Sequence, residues 1–413
     1  RTYSMKLSHD IPLTPIDEAL EILRTSVPRI TGSELVTLAD ACGRVLTEKL
    51  VASANVPSHA NSAMDGYAVC TRDLVGEPIK LKVVQRIVAG QVGKPLSEGE
   101  AARIFTGAPL PEGANAVVIQ ENCSLDGDQV EILKMVEPGE NLRKVGEDIQ
   151  AGEILLEAGH RLRPQDIGLA ASTGLTQLLV QRKLTVAVMT TGDELVRPGV
   201  ELKDGQIYNS NYFMLSALLR ILNAEVIELG VVEDDLVSTM QALEEAASLA
   251  DCIVSTGGVS VGEEDHVKTA VEAVGGLELW KLAIKPGKPF ASGKVRDTQF
   301  FGLPGNPVSA FVTFVLVVRP CLLAMLGCNL TAAAKFQVRA GFDSGKSGER
   351  QQYIRASLGK DGKGRSELKS YDNQSSGAGS SLSRADGLAI IPPHTSVARG
   401  DTLEFIPFSE LLT

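Results

Sequence analysis

The side chains best suited to chemistry fall within residues 251–310. An apolar run, Cys252-Ile253-Val254, leads into Thr256-Gly257-Gly258-Val259-Ser260-Val261-Gly262 and the acidic triplet Glu263-Glu264-Asp265. A basic turn follows, Lys285-Pro286-Gly287-Lys288-Pro289. A second apolar run, Phe300-Phe301-Gly302-Leu303, then ends in Pro304-Gly305-Asn306-Pro307, with Ser309 just inside the next helix. Two strand-to-helix turns offer free backbone N–H groups, and the basic turn offers cations. Together they suit a ligand carrying phosphate or another oxyanion.

The glycine spacing excludes two familiar alternatives. It is not that of a dinucleotide fingerprint, and no Gly-Lys-Ser/Thr follows to make a Walker A loop. Carboxylates gather on the same edge: Asp193, Glu194, Asp234, Asp235, Glu263, Glu264 and Asp265. Helix capping explains part of this set. The remainder would repel an anionic ligand unless a divalent cation bridged them, and magnesium held by one or two carboxylates plus phosphate oxygens does this. No Ser-His-Asp or Cys-His set is visible, so covalent catalysis is not expected. The five histidines form no zinc pattern.

These residues need a scaffold, and 183–326 reads as one. Strands are expected at 185–189, 225–230, 252–255, 279–284 and 299–303, with helices near 209–222, 236–250, 265–274 and 307–326. Alternation of this kind makes a mostly parallel, doubly wound α/β sheet whose ligands sit beyond the carboxyl ends of the strands. The run 311–326 is broken by Arg319-Pro320 and reads as a buried helix with a kink or break, too short to span a bilayer.

On either side the texture differs. Thr14-Pro15-Ile16-Asp17 reads as a helix start capped by Thr14, with Ile16, Leu20, Leu23 and Val27 in one apolar stripe. Residues 35–50 read as more of the same helical scaffold. From 51 short apolar runs alternate with Gly and Pro turns at 79–88, 102–105, 116–120 and 129–133, a small β domain. Residues 152–179 return to strand and helix, with Arg163-Pro164-Gln165-Asp166 as the helix entry, so the β domain reads as an insertion. The tail from 332 is again β, interrupted by a Gly/Ser-rich stretch at 374–383 expected to be a flexible loop.

Composition narrows the function. The chain has 413 residues, 44% of them hydrophobic, enough for several cores. A net charge of −11 and 4% aromatics exclude a broad nucleic-acid surface. The six cysteines, Cys42, Cys70, Cys123, Cys252, Cys321 and Cys328, contain no CxxC pair and read as free thiols in a reducing cytoplasm. Residues 5–20 lack the continuous apolar core of a secretory signal, and no membrane partner is expected.

Seven stretches in order, NSAMDGYAV, TGAPLPEGANAVV, GEDI, TGDEL, GGVSVGEEDH, LAIKPGKPF and GLPGNPVSA, resemble the MoeA-type molybdopterin molybdenumtransferases, a family that includes the C-terminal part of gephyrin. The resemblance implies four parts: a discontinuous scaffold at 1–52 and 146–182, an inserted β domain at 53–145, an α/β molybdopterin-binding domain at 183–330, and a β-barrel-like domain at 331–413. It implies the reaction of molybdate with adenylylated molybdopterin, giving molybdenum cofactor and AMP with magnesium. Carried over by matching stretch, Asp65, Thr106, Asp148, Glu194, Asp234, Asp265, Lys281 and Lys285 fall at functional positions of the family. Glu194, Asp234 and Asp265 would serve the magnesium. Gly257, Gly258, Ser260, Lys285, Lys288, Pro304, Gly305, Asn306, Pro307, Ser309 and Ser376 would contact substrate. A homodimer is implied, in which Asp65, Thr106 and Asp148 complete the partner's site. So are an upstream molybdopterin-adenylating enzyme and downstream molybdoenzymes or cofactor carriers. One departure stands out. Where the family has a Gln-Gly-Ser-His-like stretch, this chain reads Gln374-Ser375-Ser376-Gly377, without the histidine. Two other readings compete: a molybdopterin adenylyltransferase, which shares only the α/β part, and a gephyrin-like interaction scaffold without catalysis.

Overall fold

The computed structural model describes residues 12–233, 235–258, 266–329 and 332–412. Its centre is a seven-stranded sheet. Four strands run parallel side by side: Glu225–Val232, Thr185–Thr191, Cys252–Thr256 and Thr298–Leu303. Pro289–Val295 then pairs antiparallel with Thr298–Leu303 and with Gly275–Leu282. This strand was not foreseen, because Pro289 and Gly293 obscure its alternation. The two-residue strand Leu13–Thr14 closes the edge.

Alternate residues of the parallel strands enter two cores, as a doubly wound sheet requires. Val186, Val188, Cys252, Val254, Phe301 and Leu303 face helices Ile16–Ser26, Ser210–Ile221 and the long helix beginning at Pro307. Ala187, Met189, Ile253 and Phe300 face helices Leu236–Leu249 and His266–Val274. Helix Ile16–Ser26 buries Ile16, Ala19 and Leu23, and so joins the α/β core. Its first residue follows Pro15 with no side-chain cap, so Thr14 is a strand residue and not the expected cap.

The span Pro307–Met325 is one continuous run of 19 residues, long and apolar enough to cross a bilayer, yet 94% of its most apolar window is buried inside the protein. Arg319-Pro320 does not break it. A π-helical segment, Phe314–Val318, absorbs the missing proline N–H before the α-helix resumes at Arg319–Met325.

The expected helical scaffold at 35–50 is instead mostly extended and turn, with one short helical turn at Leu38–Asp40. Ser33–Thr37 pairs antiparallel with Gln177–Gln181, and Leu50–Val51 with Ile154–Leu156. Val36, Leu46, Leu178 and Val180 pack into a small core with helix Pro164–Ser172. Between these two passes lies a six-stranded sheet in the order Ala116–Ile119, Gly66–Val69, Glu100–Ile104, Ile79–Ile87, Gln129–Ile132, Cys123–Asp126. The C-terminal strands close on themselves. Gln351–Lys360 pairs with both Ser366–Ser370 and Gly387–Ile391, and Phe336–Ala340 and Thr402–Pro407 complete a five-stranded barrel.

Candidate functional site

Three parallel strands end level with one another: Thr190 lies opposite Thr256, and Thr256 opposite Leu303. Their turns are tied together. Thr256 Oγ1 donates to the Pro304 carbonyl at 3.0 Å, and the Gly257 N–H donates to the Leu303 carbonyl at 3.2 Å. Asn211, in the first turn of helix Ser210–Ile221, donates from Nδ2 to Thr256 Oγ1 at 3.0 Å and to the Gly305 carbonyl at 2.7 Å. Its Oδ1 is buried without a partner among the described residues. The sequence reading missed Asn211, whose one signal was its place just after a strand end. Gly257 and Gly258 adopt φ of +91° and +66°. A Cβ on Gly258 would stand 2.4 Å from Val267 Cγ2, so glycine is required there for the helix to approach.

Of the expected carboxylates, Asp234 and Asp265 lie outside the described residues, as do Ser260, Glu263 and Glu264. Asp235 is a helix cap: its Oδ1 accepts from Val237 N at 2.9 Å and Ser238 N at 3.0 Å. The Ser238 side chain and then the Ser238 and Val237 N–H groups hold its carboxyl below the usual range. Glu194 is exposed, in no ion pair among the described residues. Its Oε2 lies over Gly192, 2.6 Å from where a Cβ would stand.

The basic turn is built into a second wall. Ile284–Lys285 forms a short parallel strand with Gln351-Gln352 of the barrel, so the turn is stitched to the C-terminal unit. Between them opens a cleft of about 620 Å³. Lys285, Lys288 and Ser309 line one side; Arg350, Gln352, Arg355, Gln374 and Ser376 line the other. No carboxylate is among its lining residues. Lys285 and Lys288 are exposed, whereas Arg355 is 1% exposed. Burial lowers the Arg355 pKa, and the hydrogen-bond acceptors of its side chain among the described residues are neutral: Ser381 Oγ at 3.0 Å, the Ser375 carbonyl at 3.0 Å and the Asn373 carbonyl at 3.3 Å. Gln374 returns the favour, its amide bonded to the Arg355 backbone N–H and carbonyl at 3.0 Å each.

These bonds correct the expectation of a flexible loop at 374–383: a buried guanidinium organises it, and Ser380–Arg384 is a short helix. The Val308 N–H, at the start of the long helix, donates to the Ser376 carbonyl at 3.0 Å. The expected residues Lys285, Lys288, Ser309 and Ser376 therefore meet in one place. Arg355, on a barrel strand, and Arg350, just before it, had no sequence signal beyond that place. Asn306 is the N-cap position of the helix starting at Pro307, with no side-chain cap bond, and Pro304 and Gly305 serve the turn network above. Lys281 is half-buried on strand Gly275–Leu282, opposite Pro289 and Leu13, and does not line the cleft.

The inserted sheet carries a separate group. Asp65 Oδ1 accepts from both the backbone N–H and Oγ1 of Thr106, at 2.8 Å each. These two bonds hold the Asp65 carboxyl below its usual range. Asp148 is exposed, its N–H bonded to the Val56 carbonyl at 3.0 Å. None of the three lines the cleft.

Three family profiles match the chain: the MoeA N-terminal region (domain I and II) over residues 14–174, a probable molybdopterin binding domain over 187–324, and the MoeA C-terminal region (domain IV) over 337–408. A molybdopterin molybdenumtransferase of Haemophilus influenzae is 38% identical over 404 residues, covering 96% of this chain and 99% of that protein. One from Nostoc is 34% identical, over 92% of this chain and 90% of that one. The crystal structure of a molybdopterin biosynthesis MoeA protein from Pyrococcus horikoshii OT3 superimposes with a TM-score of 0.82 at 31% identity, covering 96% of this chain and 100% of that chain.

Proposed function

The chain belongs to the MoeA family, whose transferases act in molybdenum cofactor biosynthesis, and from that premise we propose that it joins molybdate to adenylylated molybdopterin with release of AMP. The observation that carries this reading is the carboxylate-free cleft with Lys285, Lys288, Arg350 and Arg355 on its walls. Molybdate is a compact dianion, and in a protein of net charge −11 it needs such a local concentration of cations. Lys285 and Lys288 supply mobile point charges; the Ser309 and Ser376 side chains line the same space and can orient the oxyanion. The Arg355 network sets the position of the Gln374–Ser376 wall.

Magnesium would be held by Glu194, Asp234 and Asp265, of which Glu194 is the one described; its exposed carboxylate outside any described ion pair fits that role. There the ion would neutralise phosphate oxygens of the adenylate. The Gly257-Gly258 and Pro304–Pro307 turns, tied by Asn211, form the pterin-side wall. Asp65, Thr106 and Asp148 stand away from the cleft, which agrees with a homodimer in which the inserted sheet serves the partner's site. We keep the division into scaffold (1–52, 146–182), inserted sheet (53–145), α/β unit (183–330) and barrel (331–413) as part of this reading, together with a cytoplasmic location, an upstream adenylating enzyme and a downstream molybdoenzyme or carrier. The alternatives of an adenylyltransferase or a non-catalytic scaffold are disfavoured by similarity that runs through all three family regions.

The test is AMP release from adenylylated molybdopterin with magnesium, with and without molybdate. Release should require molybdate, and Lys285→Ala should slow it on the order of 100-fold. Matched tungstate compares the two metals in the same run. AMP release indifferent to either oxyanion would sink the reading.

A further inference from the structure

The inserted sheet holds a second group of cations that the cleft does not use. In the parallel pairing of Ile79–Ile87 with Glu100–Ile104, Arg86 lies directly opposite Arg103. Both guanidinium groups stand over the Phe105 ring, their Cζ atoms 4.4 and 4.7 Å from its centroid. Arg103 also stands 5.1 Å from the Tyr67 ring centroid and donates to the Gly66 carbonyl at 3.0 Å and Gln120 Oε1 at 2.6 Å. These acceptors are neutral. Neither arginine takes part in an ion pair among the described residues, although Lys80 on the same strand pairs with Glu131. Two carboxylates are near, and neither forms an ion pair with the arginines among the described residues: Asp65 accepts from Thr106, and Glu121 accepts from the Gln120 amide at 3.4 Å.

Like charges placed directly across two strands repel. Aromatic faces offset part of that repulsion and hold the guanidinium planes in place. The charge of Arg103 helps to hold the Asp65 carboxyl low, so one carboxylate offsets at most one of the two guanidinium groups, and the pair keeps a net positive charge. A phosphate group presents several oxygens to two planar forks at once, which is the geometry arginine recognises best. We propose that Arg86 and Arg103, set by Phe105, form a second anion-binding site that takes the phosphate group of a phosphate ester. The site lies on the exposed end of the inserted sheet, one residue from the Asp65–Thr106 pair. It stands on its own observations and does not require the transferase reading.

The experiment uses the full chain carrying Lys285→Gln and Lys288→Gln, which removes the two exposed cations of the cleft. Titration calorimetry at low salt and without magnesium, so that the adenylate side of the cleft keeps its repelling carboxylates, then measures AMP and, separately, inorganic phosphate. AMP should bind, with an affinity that falls steeply with added salt. Adding Arg86→Gln should weaken it at least tenfold, and adding Arg103→Gln as well should abolish it. AMP binding much more tightly than phosphate identifies an ester-bearing ligand and supports the proposal; phosphate binding equally well places free phosphate there and overturns the ester assignment. Molybdate affinity of the otherwise wild-type chain should be unchanged by Arg86→Gln. The melting temperature separates a binding role from packing: relief of the like-charge pair should leave it unchanged or raised without ligand, and AMP should raise it only when Arg86 is present. Equal AMP affinity with and without Arg86, or no AMP binding in the starting variant, overturns the proposal.

Discussion

Arg182 and Arg355 are two partly or wholly buried arginines treated in opposite ways. Arg182 sits where the paired strands Ser33–Thr37 and Gln177–Gln181 meet the α/β sheet. It grips Asp251 with two bonds of 2.6 and 2.7 Å, and Asp251 also accepts from the Thr185 N–H at 2.9 Å. There the positive charge is cancelled within the fold. Arg355 lines the cleft, and its side chain has only neutral acceptors among the described residues. Cancelling a charge locks two chain segments together; leaving it uncancelled keeps a field that an anion can complete. The difference separates a structural seam from a binding wall, within one chain of net charge −11.

The sharpest way to break this comparison is Arg355→Met. It removes the guanidinium and strips the Asn373 and Ser375 carbonyls of their donor. Stability should fall by about 3 kcal/mol, as when a buried hydrogen-bonded charge is deleted. Molybdate affinity should fall at least tenfold, because the Gln374–Ser376 wall loses its anchor. Urea unfolding and calorimetry check the two separately. Arg355→Lys keeps the charge without the fork, and should recover part of the affinity and little of the stability. Unchanged molybdate binding in Arg355→Met would place the oxyanion elsewhere.

A smaller effect belongs to Asp166, another carboxylate cancelled within the fold. It is 3% exposed; burial alone would raise its pKa, but bonds from Arg163 and His160 outweigh that and bring it down to about 2. A depressed carboxylate contributes stability that is fully present above its unfolded pKa of about 4 and is lost as pH falls through the folded value. The contribution should be about 2 kcal/mol at neutral pH, disappearing between roughly pH 4 and 2. Asp166→Asn should lower stability at pH 7 and flatten the acid limb of the urea-stability profile. An acid limb as steep as that of the unaltered chain would show that other carboxylates carry it.

Much of this division between seam and wall could be read from residue types, and part could not. Gly257-Gly258, Lys285, Lys288 and Pro304–Pro307 announced themselves because tight turns and clustered lysines have few other uses. The α/β strands were visible because Val, Ile and Phe runs end in glycine. Arg350 and Arg355 were not, since an arginine on or beside a barrel strand looks like a solvated charge until the chain closes over it. The extended stretch Ser33–Thr37 failed for a related reason. Its burial pattern is nearly all exposed, so its strand state comes from pairing with Gln177–Gln181, some 140 residues away, and leaves little local period. The triplet Glu263-Glu264-Asp265 was legible as chemistry but lies outside the described residues.

The mildest test returns to the seam. Arg182 and Asp251 keep 36% and 20% side-chain exposure, so water screens their attraction. Arg182→Met should cost roughly 1 kcal/mol, well short of a fully buried pair. Asp251→Asn should cost somewhat more, because burial first raises that carboxyl's pKa and the Arg182 and Thr185 bonds must overcome it to hold it low. The double variant should cost less than the sum of the two, since each single change leaves the other partner uncompensated. It should not return to the unaltered stability, because the Thr185 N–H keeps only a neutral acceptor. Throughout the series molybdate affinity should stay constant. If it instead fell with seam stability, the cleft would be coupled to the Ser33–Thr37 and Gln177–Gln181 strand pair, and the two arginines would belong to one device.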